Sequence, residues 1–303
     1  MERKDYIDTF GAASLIGFSL LMAFNQVVIK VVNDGLQPVF FAGVRSAGAV
    51  LCIWLWLRLR GQRLAFEKGT IGAGFLIGSV FAIEFVFLFL ALDLTTVIRT
   101  SVIFYSMPVW LALAAHFLLP GERLTGPRAL GLALAFGGVS LAIIDRGADG
   151  GEASLAGDLC ALAGALGWAG VALCARSTAI SRVRPEMQQF WQVMVSAPVL
   201  LLAAVVFGPP YVRELEPIHL WGLAFQIVVV ASAGFTFWFW LLSIYPAAGV
   251  ASFSFLSPLF GVALGWLILG ETMRSSLIGA VVLVAAGLIL INRTQPNSAS
   301  TAV

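Results

Sequence analysis

The 303-residue chain is 60% hydrophobic and 11% charged, with a mean hydropathy of +0.95, beyond the range of water-soluble globular domains. Its net charge of +2 comes from few ionisable residues scattered along the sequence, which gives no basic face for a nucleic acid. Cys52, Cys160 and Cys174 each stand inside an apolar run without metal-ligand spacing, so disulfides and zinc are set aside and all three read as small buried hydrophobes.

The chain opens with MERKDYIDTFGAASLIGFSLLMAFNQVVIKVV, charges followed by an apolar stretch of about 20 residues, whereas a cleaved signal has an apolar core of only about 7–15. We read a retained first membrane span at 12–32. Nine more stretches of spanning length follow, at 38–58, 70–92, 96–118, 127–145, 155–175, 186–207, 218–242, 248–269 and 275–292. Short connections such as NDGLQ and PGERLTG leave no room for a soluble domain, and 294–303, TQPNSASTAV, reads as a disordered tail. If the N-terminus is cytoplasmic, twelve Lys and Arg fall at inner ends and five at outer ends, with Arg45 completing the eighteen. The positive-inside bias therefore puts both termini in the cytoplasm.

The two halves echo each other. Pro108, in LDLTTVIRTSVIFYSMPVW, is matched by Pro258, in LSIYPAAGVASFSFLSPLF, and each is followed by an apolar run ending in Gly-Glu, at Gly121-Glu122 and Gly270-Glu271. Ala23 to Lys30 likewise matches Ala169 to Arg176, and Pro38 to Arg45 matches Pro185 to Gln192. Four echoes in one order indicate duplication, with repeats at 1–148 and 149–293. Because five spans is an odd number, the second copy enters the membrane inverted, an arrangement typical of secondary transporters and found also in channels. The expected fold is an all-α integral membrane protein of ten transmembrane helices in two inverted five-helix repeats.

This plan resembles the EamA-type transporters of the drug/metabolite transporter superfamily, as do PVFFAGVRSAGAV, SMPVWLALAAHFLLPGERLTGPRALGLALAFGGVSLAI, GDLCALAGALGWAGVALCAR and FLSPLFGVALGWLILGETMRSSLIGAVVLVAAGLILI. The likeness runs from about Ala12 to Ile291. It implies export of amino acids or other metabolites, or import of vitamins and cofactors, without ATP hydrolysis, and it implies a bacterial inner membrane. Arg45, Pro108, Pro258, Glu122 and Glu271 fall on family motif positions, none of which assigns a ligand.

Ionisable groups in a membrane span normally face a partner or a watery cavity. Arg45 lies roughly 10 Å below the outer surface and Glu84 roughly 12 Å, on consecutive antiparallel spans, so an interaction between them is expected, direct or through water. Asn25, Gln26 and Tyr105 share that level. Two readings stay open: a substrate cavity open to the outside in one state, with Arg45 taking a carboxylate and Glu84 an amine or a coupling proton, or a closed Arg45–Glu84 brace with substrate elsewhere. In the second half, Gln188, Gln189, Gln192 and Trp168 are candidates for an uncharged or aromatic substrate, while Trp191 and Trp240 serve equally as interfacial anchors. Pro108, Pro198 and Pro258 are hinge candidates or static kinks. His116 and His219 have no catalytic or metal-binding neighbours.

No P-loop is present, and no catalytic pair lies within the spans, which argues against an ATP-driven pump and against an enzyme. The expectation is a secondary active transporter without cofactor, coupled to a proton or to exchange. Its expected substrate is a small polar metabolite, foremost an amino acid to be exported. Uptake of a vitamin or nucleotide-like cofactor, or passive facilitation, is the alternative.

Overall fold

The computed structural model describes residues 6–119, 124–144, 154–245, 250 and 253–293; the expected tail and the Gly121-Glu122 motif lie outside these residues. Among the described residues the structure is helical throughout, with nine helices long and apolar enough to cross a membrane and a tenth, shorter apolar helix.

The helices start where capping chemistry predicts. Asp8 accepts the Gly11 N–H at 2.8 Å to open α1 (Thr9–Gly35), and Gln37 accepts that of Phe40 at 2.6 Å to open α2 (Pro38–Leu59), whose first position is proline. Next come α3 (Ile71–Leu94), α4 (Val97–Phe104), α5 (Met107–Leu118) and α6 (Gly126–Ile144). The second half begins with α7 (Leu155–Ser177), capped by Ser154, and α8 (Pro185–Phe207). One further span consists of α9 (Pro217–Phe225), a π-helical stretch (Gln226–Gly234) and α10 (Phe235–Ile244). Helices α11 (Leu256–Leu269) and α12 (Ser275–Arg293) complete the chain.

Two of the three candidate hinge prolines follow interruptions. Span four is not one helix, as the sequence suggested, but breaks at Tyr105-Ser106 just before Pro108. The corresponding turn at Phe253–Phe255 precedes Pro258. Proline lacks the N–H for the helical ladder and its ring collides with the carbonyl four residues back, so both chains break just upstream. Pro198 leaves α8 continuous.

The packing has the two-fold pattern of an inverted repeat. Helices α2 and α8 pack on each other, as do α6 and α12 and also α4 and α11, each pair joining equivalent spans. The α3–α7 contact is exchanged with α1 against α9 and the π stretch, and α1–α11 with α7 against α4 and α5. Small residues permit these approaches: Gly131 and Gly287 face each other across α6 and α12, where a methyl on Gly131 would meet the Gly287 carbonyl at 2.8 Å. Leu51, Leu55, Leu202, Val206, Trp221 and Leu267 point outward and form an apolar exterior suited to lipid. The three cysteines are free, and half-buried rather than buried.

Candidate functional site

The bundle differs at its two ends. At the end opposite the termini, polar groups join elements from both halves. The carboxylate of Glu271 accepts the Val97 and Ile98 N–H groups at 2.6 and 2.8 Å, closing the N-terminus of α4. Arg99, which the sequence placed at an outer end, is 1% exposed, and its Nη2 lies 2.6 Å from Oδ2 of Asp158, itself fully buried on α7. Its guanidinium also donates to the Ala142 carbonyl of α6. Asp158 is thus a second buried carboxylate that the sequence reading, centred on Glu84, left out.

Further ties flank this pair. Lys30 donates to the Thr95 carbonyl at 2.9 Å, Asn33 to that of Phe89 at 2.9 Å and Gln37 to that of Ala204 at 3.3 Å. Arg213 grips Asp93 through two nitrogens at 2.7 and 3.1 Å, and Leu36 and Val212 form an isolated antiparallel bridge. The Asp93 hydrogen bonds raise the affinity of Arg213 for its proton above that of an ordinary arginine. His219 caps α9 by accepting the Glu216 N–H at 3.0 Å, a structural role.

Toward the termini the helices separate around a cavity of about 640 Å³. Exposed Arg176, at the end of α7, lies at its mouth with Arg128 and Asn292; Arg45 lines it deep in the bundle. The sequence reading placed a cavity opening on the outer side; here it reaches the side of the termini.

Arg45 is 1% exposed. Its Nε donates to Oε1 of Gln226 at 3.0 Å, and Gln226 in turn donates from Nε2 to Asn25 Oδ1 at 2.7 Å. The guanidinium carbon lies 4.6 Å from the Phe85 ring centroid, within cation–π range, and Nη1 has no hydrogen-bond partner. An interaction with Glu84 was expected, direct or through water; no ion pair or hydrogen bond joins the two among the described residues and Glu84 Oε2 is buried without a hydrogen-bond partner, yet the two charges lie within electrostatic reach of each other. Common depth brought them within electrostatic reach but not into contact, the backbone of Glu84 lying where α3 crosses α7. There its Cβ would lie 2.9 Å from a methyl placed on Gly167.

The other candidates divide. Tyr105 lines the cavity at the α4–α5 break, with its hydroxyl donating to the Met22 carbonyl at 2.7 Å; Trp168 lines it while stacked on Phe104 at 5.1 Å. Gln188, Gln189 and Gln192 line it too, but Gln188 donates to the Val183 carbonyl and Gln189 to that of Ala231. Asn25, Gln26 and Glu84 are buried behind the wall, Gln26 accepting from the Ser101 hydroxyl at 2.6 Å. Trp191 is not an interfacial anchor: it is buried between Phe66 and Phe75, whereas Trp240 packs on Phe10 and Phe237. Trp238, stacked on Phe18 at 4.6 Å, joins the cavity wall, and Pro108 lines it. His116 accepts the Leu124 N–H.

Gln226 is the principal omission. It is a lone amide in GLAFQIVVVASAG, and the rule that singled out Asn25 and Gln26 applies to it equally. What the sequence concealed is the π turn, in which Gln226 is the first residue.

Comparison with known proteins gives the chain its family. Residues 9–144 and 155–293 each match the EamA-like transporter family. A Bacillus subtilis protein named "Uncharacterized transporter YoaV" is 24% identical over 91% of this chain and 94% of its own length. Proteins named "Probable amino-acid metabolite efflux pump" from Salmonella typhimurium and Escherichia coli are each 25% identical, over 96% of this chain and 95% of their own length. A solved crystal structure superposes with a TM-score of 0.64 at 21% identity, covering 92% of this chain and 96% of the other, and shows the fold alone. With its helical bundle and two family matches, the chain belongs to the EamA-like transporter family and is a multi-pass membrane transporter, not an enzyme.

Proposed function

We propose that the protein is a secondary active transporter that exports an amino acid, or a carboxylate of similar size, across a bacterial inner membrane by alternating access. The observation that carries this reading is a cavity of about 640 Å³ that reaches the side of the termini and stops at Arg45, while polar ties close the opposite end. The volume lies within the roughly 300–1,000 Å³ of small-molecule sites. An arginine at the end of such a cavity with one guanidinium nitrogen free of protein partners suits a carboxylate, which two parallel N–H groups can hold.

The charge bias of the sequence supports cytoplasmic termini, which makes this an inward-open state loading from the cytoplasm. Units 1–148 and 149–293 then rock about the α2–α8 contact, coupled to a proton or to exchange, and the breaks before Pro108 and Pro258 absorb the bending. Tyr105, Trp168 and Gln192 contact the substrate from the wall. The amino-acid metabolite efflux named for two relatives agrees with this substrate range.

The test is counterflow. Proteoliposomes loaded with unlabelled amino acids and related carboxylates should accumulate the same labelled solute transiently, with saturation and trans-stimulation. Flux linear in concentration, without trans-stimulation, would instead establish a passive facilitator.

A further inference from the structure

An amino acid presents two charges, and the sequence reading supplied both complements, Arg45 for the carboxylate and Glu84 for the ammonium group. The cavity keeps only the first. Arg45, Arg128 and Arg176 line it, and no aspartate or glutamate does among the described residues. Glu84 is 4% exposed and stands outside the lining, its backbone packed against Gly167 of α7; its charge reaches Arg45 through the wall but it offers the cavity no carboxylate.

The neutral groups offer an ammonium little. Tyr105, Gln188 and Gln189 donate their protons to backbone carbonyls, so they, like Gln192 and the other amides and hydroxyls of the lining, offer an ammonium only uncharged oxygen acceptors. An ammonium here would shed its water facing arginines, with no carboxylate to repay the loss. An organic anion gains throughout: Arg128 stands at the mouth, and Arg45 receives it inside. Gln226 holds Nε of Arg45 and leaves Nη1 without a protein partner, so the guanidinium is oriented with a nitrogen left for a ligand. Trp168 and Trp238, each stacked on a phenylalanine, supply flat walls for an apolar or aromatic body.

We propose that the cavity selects an organic monoanion, a carboxylate on an apolar or aromatic body, over the zwitterion of the same size, with Gln226 as the residue that positions Arg45. The proposal rests on the transporter reading above and narrows its substrate to acids that lack the amine.

Three probes sharing one ring and side chain isolate the charge: 3-phenylpropionate, L-phenylalanine and 2-phenylethylamine. Binding to the purified full-length protein is measured by calorimetry and thermal shift, and exchange in proteoliposomes. The expected order is 3-phenylpropionate tightest, L-phenylalanine at least about tenfold weaker, and 2-phenylethylamine without effect, since about 1.4 kcal/mol separates each tenfold step. Gln226→Glu, nearly the same shape, should place a carboxylate on Arg45 and weaken 3-phenylpropionate at least about tenfold while the protein stays folded. Arg45→Gln should abolish the discrimination among the three.

L-phenylalanine or 2-phenylethylamine binding as tightly as 3-phenylpropionate overturns the proposal, as does no response to any of the three. Undiminished 3-phenylpropionate affinity in a folded Gln226→Glu protein removes the positioning role. The outcomes separate from those of the transport reading: strong binding of the acid without exchange defeats transport alone, whereas saturable exchange that prefers L-phenylalanine defeats the monoanion alone.

Discussion

The two ends of the bundle are built from the same helices and held by different chemistry. Away from the termini, short hydrogen bonds and a buried ion pair cross between elements, from Glu271 to α4, from Arg99 to Asp158 and from Arg213 to Asp93. Toward the termini the helices diverge around aromatic side chains and a cavity. Directional polar ties hold only in one alignment and are lost together when helices tilt, whereas aromatic and aliphatic walls slide at little cost. Under the proposed export cycle, the polar end is the gate that opens for release and the cavity end the one that collapses.

Breaking the ties one at a time grades this comparison. The largest effect is expected for Asp158→Asn, which leaves the Arg99 charge buried without its partner. Removal of one member of a buried pair costs about 3–5 kcal/mol, read as lost stability in detergent unfolding. A stability unchanged within error would show that the pair contributes nothing to the closed end. Glu271→Gln keeps an acceptor near α4 but removes the negative charge at its N-terminus, for an expected loss of about 1–2 kcal/mol. The same unfolding experiment checks it, and an equal loss in Asp158→Asn and Glu271→Gln would erase the ranking.

Tyr105→Phe removes one hydroxyl bond to the Met22 carbonyl across the helix break, worth about 0.5–1.5 kcal/mol. Retained transport in that variant would limit the hydroxyl to a structural role. The smallest stability change belongs to Asp93→Asn. The Arg213–Asp93 pair is partly exposed, and such pairs contribute about 0–1 kcal/mol and weaken as salt rises. Its functional effect should exceed its thermal one, because a tie made in only one of two states shifts their balance even where it adds little to overall stability. Greater labelling of the polar end in Asp93→Asn is therefore expected, and labelling identical to the parent protein would deny this pair a part in the gate.

Much of the fold was legible because a membrane leaves few options. Apolar length sets the spans, and Pro38, Pro185 and Pro217 begin helices as expected of proline. The demand that Arg45 find a partner was also sound: Glu84 acts on it electrostatically, but the hydrogen bond goes to Gln226. Counting residues from a helix end measures depth and says nothing about direction around the axis, so Glu84 matched Arg45 in height without reaching hydrogen-bond distance. Gln226 was readable as an intramembrane amide, yet its aim depends on a π turn that hydropathy does not encode. Which end is closed could not be read either, since an inverted repeat permits both states from one sequence. Asp158 and Arg99 looked like ordinary polar residues near span ends, and only the packing of α4 on α7 buries them.

Cysteine reactivity tests most directly whether access alternates between the two ends. With Cys52, Cys160 and Cys174 replaced, Ala172→Cys reports on the cavity and Leu36→Cys on the polar end, each probed with a membrane-impermeant thiol reagent in oriented proteoliposomes. Without substrate, Ala172→Cys should react from the side of the termini while Leu36→Cys stays protected; during substrate exchange the first should slow and the second should become reactive from the opposite side. Simultaneous reactivity of both positions in the resting protein, or no reciprocal change during exchange, would contradict alternating access and indicate a continuous pore or a static bundle.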